Sequence, residues 1–516
     1  MKETTGVALY SRFLRGLARS PDRPAVRLGT DTITYESAHR RALLWAGSLL
    51  AGAPEPPAAV GVLAGKGVQS YVGILAGLYA GATVVPLHPA FPTARIRRML
   101  QVAGVTAIVA DEQGLAGLPE ILHDAPPILV LAPEVDAEVP APLKEIPVDP
   151  AHALAEPRPV TAADTAYMLF TSGSTGVPKG VPISHGSTHH YFGLLDERYD
   201  FTPDDVFTQT FDLNFDCAMF DLFCAWGAGA SVVCPPPQAY RDMPAFLAEQ
   251  GVTVWFSTPS SIALLRRMGA LVPGSIPTLR WSFFAGEALR LADAADWHAA
   301  AVNSTLENLY GPTELTVTIT GHRWSPEESP RLGLNGLMPI GRVHPGHDHL
   351  LLGADGSPTD ADEGELCITG PQMAAGYLDP AQNQGRFVEI DGRTWYRTGD
   401  RVRRADNGEL VYIGRLDAQV QVQGWRVELA EIEHELRGVD GVEDAVTVTR
   451  EGDGGTELVV FYTGTPTSPA ALARELRRVL PPGMLPKQYR HVDAFPLNPN
   501  RKIDRGRLGC VANAIE

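Results

Sequence analysis

From residue 57 onward, apolar runs of strand length alternate with helix-length patterns: PAAVGVLAG, VQSYVGILAGLYAG, ATVVPL, ARIRRMLQVAG and TAIVAD follow one another. This rhythm pushes the chain toward βαβ units, because parallel neighbours need a crossover long enough to hold a helix, and those helices cover the sheet. A second α/β stretch contains DDVFTQTFDLNFD, GASVVCPP, GVTVWFSTPS and LRWSFFAGEAL. After about residue 330 short strands and Gly/Asp turns take over (GELCITG, WYRTGDRVRRADNGELVYIGR), the texture of hairpins. The last ~100 residues, about the size of one small domain, read as a separate α+β unit: AEIEHELRGV and ALARELRRVL are helical, and AVTVTR and TELVVFYTG flank an EGDGG turn. The expected fold is a large N-terminal α/β domain, two sheet subdomains plus a small β region over residues 1–415, followed by a smaller α+β domain over 416–516. A Pro/Ala/Glu-rich stretch at 131–159 lacks either period and reads as a surface connection.

Composition narrows the function. With 60 acidic against 43 basic side chains the formal charge is −17, which argues against nucleic acid as a partner and favours small ligands or proteins. Hydrophobic content of 44% excludes a disordered chain. Five cysteines without a CxxC pair suit a reduced, cytoplasmic setting. The N-terminus mixes Arg12, Arg15 and Arg19 with apolar residues at helical spacing and reads as a first helix rather than a signal peptide. The longest apolar run, 71–87, is broken by glycines and Pro86, so a buried helix running into a strand is expected, not a membrane span.

The segment richest in chemistry is YMLFTSGSTGVPKG at 167–180. An apolar strand runs into small and hydroxyl residues and then Lys179. Glycines let backbone N–H groups converge, hydroxyls add donors and the lysine adds charge, so Thr171, Ser172, Gly173, Ser174, Thr175, Gly176 and Lys179 form a candidate phosphate-gripping loop. It is not a Walker A loop, because Pro178 stands where the second glycine should be.

TSGSTGVPKG resembles the signature loop of the adenylate-forming superfamily, which includes acyl-CoA synthetases, luciferases and nonribosomal peptide synthetase adenylation domains. Four further segments agree in order: NLYGPTE at 308–314, YRTGD at 396–400, GRLDAQVQVQGWRVELAEIE at 414–433 and LNPNRKID at 497–504. The resemblance implies ATP and Mg²⁺. It puts Glu314 on the metal, as suits an ion that takes one or two carboxylates plus phosphate and water. It puts Asn308, Tyr310, Gly311, Thr313, Gly286 and Glu287 at the adenine side, Asp400 and Arg415 at the ribose, and Thr171 and Lys502 in catalysis. It makes Asp417 the hinge of a mobile C-terminal domain. A carboxylate attacking an α-phosphate brings two anions together, which is why positive charge from Lys502 and Mg²⁺ is needed. No general base is needed, so His185, His189 and His190 are read as part of a helix following the phosphate loop. Gln421 and Gln423 stand where many relatives carry a lysine and an arginine.

In amino-acid-activating members a buried aspartate at a helix mouth meets the substrate ammonium. Of Asp212, Asp216 and Asp221 in TFDLNFDCAMFDLFCAWGAGA, Asp216 is the one expected there; its alternative role is a helix cap. The family's pocket positions fall on Cys217, Phe220, Ser260, Phe283, Ala285, Leu309, Val317 and Thr318, a narrow uncharged set that implies a small neutral amino acid, alanine before serine or glycine. The twelve residues after Asp504 leave no room for a carrier domain, so the expected acceptor is a separate phosphopantetheinylated carrier protein. Arg474, Arg477, Arg478, Lys487 and Arg490, with Arg501, are either its docking patch or a solvated face. A bacterial nonribosomal peptide or polyketide pathway is the implied setting. The alternative is an acyl-CoA ligase for a non-amino acid.

Overall fold

The computed structural model describes residues 6–29, 31–123, 128–173, 178–416, 419–452, 455–497 and 503–514. Two large sheets dominate. In the first, the order is Lys144–Glu145, Leu129–Leu131, Ala107–Ala110, Ala59–Leu63, Thr83–Leu87, Thr165–Thr171 and Lys179–Ser184, parallel except for the last pair. The second has nine strands, with a parallel centre that includes Val206–Thr208, Val254–Ser257, Trp281–Phe284 and Thr305–Tyr310. The expected mixed α/β architecture is therefore present, and the helices lie where a parallel sheet needs cover.

The largest apolar core is shared by both sheets, running from Val60, Val84 and Val109 of one to Val26, Phe207 and Val232 of the other. The helix Cys217–Ala228 lies within it and is buried at all of its residues, which is why its sequence is apolar around the whole circumference. It stops at Gly229, whose φ of +80° is the left-handed conformation that ends helices cheaply. Helix His185–Arg198 opens with Ser184 accepting from the Ser187 amide, and its His185 Nδ1 accepts from the Leu9 amide. Burial pushes the His185 imidazole down to about 4, so it is a neutral structural group.

Two features have no cue in local periodicity. Strand Pro24–Leu28, from the N-terminus, inserts parallel to Ser231–Val233 in the second sheet, not the first. Helix Ser11–Arg19 packs beside Cys217–Ala228, with Arg12 and Arg15 on Asp196. The 131–159 connection is also closer-packed than a loose linker: it supplies the edge strand Lys144–Glu145, and its His152 carbonyl lies 1.8 Å from where a Cβ on Gly47 would stand.

A six-stranded antiparallel sheet covers residues 348–415. Beyond it come the hairpin Gln419–Val422/Trp425–Glu428, helix Leu429–Arg437, and a sheet of Val442–Gly452, Gly455–Gly464 and Gln488–His491 with its own core around Ile432, Leu436, Val460 and Leu472. Helix Pro469–Leu476 is shorter than ALARELRRVL suggested, ending at Arg477. Among the described residues no helix is long and apolar enough to cross a membrane.

Candidate active site

A cavity of about 810 Å³ opens at the carboxyl ends of Val254–Ser257, Trp281–Phe284 and Thr305–Tyr310, with the hairpin turn closing one side. Ligands of open α/β sheets collect there, because chain crossing at strand ends leaves a crevice.

At one end stands Asp216, buried at the N-cap position of helix Cys217–Ala228. Its side chain makes no cap hydrogen bond to the first turn, and its Oδ2 has no partner. Burial raises this carboxyl to about 6, although the Thr313 hydroxyl and Cys217 amide lower it. A buried carboxylate without a counter-charge costs several kcal/mol, which makes Asp216 a candidate cation site; Asp221, whose two oxygens are also unpartnered, lies outside the cavity lining. Of the other two aspartates, Asp212 is a partly exposed partner of Lys66 at 3.9 Å, and Asp221 is wholly buried, with its carboxyl raised by burial, outside the cavity lining.

At the other end the polar groups already hold one another. Tyr310 Oη donates to Asp400 Oδ2 at 2.6 Å, and Arg415 Nη1 donates to Asp400 Oδ1 and to the Thr398 carbonyl, both at 2.9 Å. Asn308 Nδ2 donates to the Pro339 carbonyl at 2.8 Å. Glu287, on the cavity wall, is already engaged: its carboxylate accepts from the Ser260 amide at 2.8 Å and the Gly424 amide at 2.7 Å.

The hairpin turn reaches into this arrangement. Gln423 (φ +50°) and Gly424 (φ +84°) form a two-residue turn with positive φ at both positions, and a Cβ on Gly424 would lie 2.8 Å from Thr258 Cγ2. Oriented by its neighbours, the Gln421 amide donates to the Trp425 and Gly286 carbonyls at 3.1 and 3.2 Å. Trp425 packs against Phe91 and Phe215, and Ser172 Oγ donates to the Arg426 carbonyl at 2.7 Å. Arg426 Nη1 pairs with Glu314 Oε2 at 2.9 Å, while Tyr377 Oη donates to Glu314 Oε1 at 2.6 Å. Burial would raise Glu314, but the Arg426 charge and the Tyr377 hydroxyl outweigh it and hold the carboxyl at about 2. Farther out, Arg95 Nη1 meets Glu431 Oε1 at 2.7 Å in a pair 8% and 1% exposed.

The cavity wall includes Thr171, Ser172, Asp216, Cys217, Ser260, Ala285, Gly286, Glu287, Asn308, Leu309, Tyr310, Gly311, Thr313, Asp400 and Arg415, so most of the sequence-predicted set converges. Phe220, Phe283 and Val317 stand behind that wall in the core, with the Phe220 and Phe283 rings 5.2 Å apart, and Thr318 Oγ1 is bonded to Tyr191 Oη at 2.9 Å. Gly173 is buried, and Lys179 Nζ lies 5.3 Å over the Tyr377 ring with its pKa lowered by burial. Ser174, Thr175, Gly176, Asp417 and Lys502 lie outside the described residues. Sequence reasoning missed Tyr377, Gln372 and Arg95; the run GPQMAAGYL at 370–378 offered only glycine punctuation, and Arg95 is one of many helix arginines.

Thr316 (φ +58°) and Val317 (φ +65°) are consecutive β-branched residues in left-handed conformation, a strain of roughly 1–3 kcal/mol each. A Cβ on Gly311 would meet Thr318 Cα at 2.6 Å, so only glycine lets the nucleotide-side turn approach this bend.

Comparison with known proteins agrees with this geometry. The L-proline--[L-prolyl-carrier protein] ligase of Streptomyces coelicolor is 32% identical over 510 residues, covering 95% of this chain and 94% of that protein. The chain spans 41% and 39% of two longer curated relatives, the phenyloxazoline synthase MbtB of Mycobacterium sp. and the enterobactin synthase component F of Shigella flexneri. The crystal structure of IdnL7 is 57% identical with a TM-score of 0.77, covering 98% of this chain and 99% of that one. The Vibrio cholerae adenylation domain AlmE, solved with glycyl-adenosine-5'-phosphate, is 29% identical with a TM-score of 0.86, covering 98% and 97%. The family model for AMP-binding enzymes matches residues 13–378, and with the near full-length ligase relative this makes the chain a member of the AMP-binding, adenylate-forming enzyme family.

Proposed function

We propose that this enzyme joins a small neutral amino acid to AMP and then passes the aminoacyl group to the phosphopantetheine thiol of a separate carrier protein. The observation that carries this reading is the buried Asp216 carboxylate with its unpartnered Oδ2 beside the cavity. It would bind the α-ammonium and so aim the substrate carboxylate toward the nucleotide end. The carboxylate is already ionised at neutral pH, so it attacks the α-phosphorus without a base: one P–O bond forms, the bond to the β-phosphate oxygen breaks, and pyrophosphate leaves. In the second half-reaction the thiol sulfur replaces AMP at the acyl carbon.

Asp400 and Arg415 would hold the ribose, Asn308 and Tyr310 the adenine side, and the loop from Thr171 through Lys179 the phosphates. Bound Mg²⁺ would supply positive charge to the phosphate oxygens. Glu314 suits it, being a fully buried carboxylate held ionised, and Arg426 now occupies the oxygens that the ion would take. Lys502 would neutralise charge in the first step, and residues 416–516 would turn about Asp417 as a cap on the 1–415 core.

Cys217, Leu309 and Ala285 at the wall, backed by Phe220 and Phe283, form an uncharged apolar set beside Asp216, which favours a small neutral side chain, alanine, then serine or glycine. The glycyl adenylate bound by AlmE supports a small acid, and the carrier-protein ligase relative supports a carrier acceptor. ATP–pyrophosphate exchange over the proteinogenic amino acids tests the reading: exchange with alanine, serine or glycine is expected, and exchange confined to fatty or aryl acids would replace it with a CoA ligase.

A further inference from the structure

The structure assigns Gln372 as a positioning residue that sets the depth of the acid-binding pocket by clamping the strained bend behind it. This rests on the substrate end being where Asp216 puts it. Gln372 is fully buried. Its Nε2 donates to the carbonyls of Leu315 at 3.0 Å, Thr316 at 3.2 Å and Thr318 at 2.9 Å, and Thr316 Oγ1 donates back to the Gln372 carbonyl at 2.7 Å. Its Oε1 faces His344 Nδ1 at 3.5 Å, and its own amide donates to His347 Nε2 at 3.1 Å. Only a side-chain amide offers donors to converging carbonyls on one atom and an acceptor on the other.

The bend gives that clamp its purpose. Thr316 and Val317 hold positive φ, which a β-branched residue keeps only when its surroundings over-determine it. Gln372 grips the carbonyls on both sides of Val317, Tyr191 Oη bonds Thr318 from another direction, and Gly311 presses on the bend from the cavity. Val317 belongs to the same core as Cys217, Ala285 and Leu309, which line the pocket. A shift of the bend therefore moves the pocket's backing. The same segment reaches Glu314: the Ala374 amide donates to the Glu314 carbonyl at 2.8 Å, and Tyr377 holds its carboxylate. Those contacts belong to Ala374 and Tyr377 rather than to the Gln372 side chain, so loss of its donors should leave Glu314 in place.

The test compares Gln372→Met, which keeps the shape but loses the donors, with Tyr191→Phe, a milder loosening of the same bend. Pyrophosphate exchange is measured against glycine, alanine, 2-aminobutyrate and valine, with KM for ATP alongside. In Gln372→Met, KM for the best acid should rise ~10-fold while KM for ATP stays within about twofold, and selectivity against the larger side chains should relax ~5-fold, since small misplacements are magnified at a reacting centre. Tyr191→Phe should move selectivity the same way by less. Equal loss on every acid with KM for ATP rising in step, or unchanged selectivity in both variants, would overturn the assignment. If Gln372→Met does not fold, the selectivity of Tyr191→Phe decides alone. If the wild type exchanges only with non-amino acids, the substrate reading falls, and the clamp is judged by the same ratios on a homologous series of those acids.

Discussion

Buried carboxylates on and behind the cavity wall are treated in opposite ways. Asp400 and Glu314 are fully engaged, by Tyr310 and Arg415 and by Arg426 and Tyr377. Asp216 keeps one oxygen unpartnered and is raised to about 6. Under the proposed function Asp400 and Glu314 would take hydroxyls and a metal, and arginine and tyrosine side chains satisfy them in their absence. Under the same proposal Asp216 would take an ammonium, and an internal cation there would fill the space the substrate needs. On that reading Asp216 carries an electrostatic cost that substrate binding would relieve, and Asp400 and Glu314 would exchange one set of partners for another.

The sharpest way to break this contrast is Asp216→Ala. Truncating one partner of a buried charge pair costs about 2–5 kcal/mol, so kcat/KM for the amino acid should fall by roughly 10²–10³ or more with KM for ATP little changed. Full activity would abolish the distinction. Next in size is Arg95→Ala, which strands Glu431 in a buried site and should lower unfolding free energy by about 3–5 kcal/mol in urea titration, with Arg95→Met/Glu431→Gln recovering most of it.

The pH response should differ between the ends. With Asp216 raised, its ionised form is lost as pH falls through about 6, so log kcat/KM for the amino acid should drop below pH 6 toward a slope of about one per unit. The residual activity of Asp216→Asn should lack that limb. Because its folded pKa lies above the ordinary carboxylate value, this group lowers folding stability as pH rises from about 4 to 6, and substrate binding should restore it as a higher Tm. Glu314 runs the other way: its stabilisation is present above its ordinary pKa of 4.5 and is lost as pH falls toward 2. Tyr310→Phe removes a hydrogen bond to a charged group and should lower unfolding free energy by about 1.5–3 kcal/mol. The smallest effect belongs to Asp212→Asn, an exposed pair member whose loss should change activity and stability by no more than about 0.5 kcal/mol.

Much of this was legible before any coordinates. The alternation of strand and helix periods announced the α/β sheets, because burial on both faces demands near-continuous apolar strands. The loop at 167–180, the turn ending in Glu314 and the aspartate at the helix mouth can be proposed from consecutive residues alone, and the structure puts Thr171, Ser172 and Asp216 on the cavity wall. Other features lie beyond local reading. Nothing near Pro24–Leu28 names Ser231–Val233 as its neighbour, and the convergence of Gln372 on a bend more than fifty residues away, or of Arg426 on Glu314, is set by how separate elements pack.

By itself, then, the sequence determined the α/β alternation of strands and helices and which loops are candidates to carry reactive groups, since backbone periodicity and turn chemistry act between near neighbours. Tertiary structure alone decided that Asp216 would be left unpaired while Asp400 and Glu314 were not, and that Phe220, Phe283 and Val317 would back the cavity rather than line it. Burial and pairing are properties of space filled by remote parts of the chain, and they exist only once those parts have met.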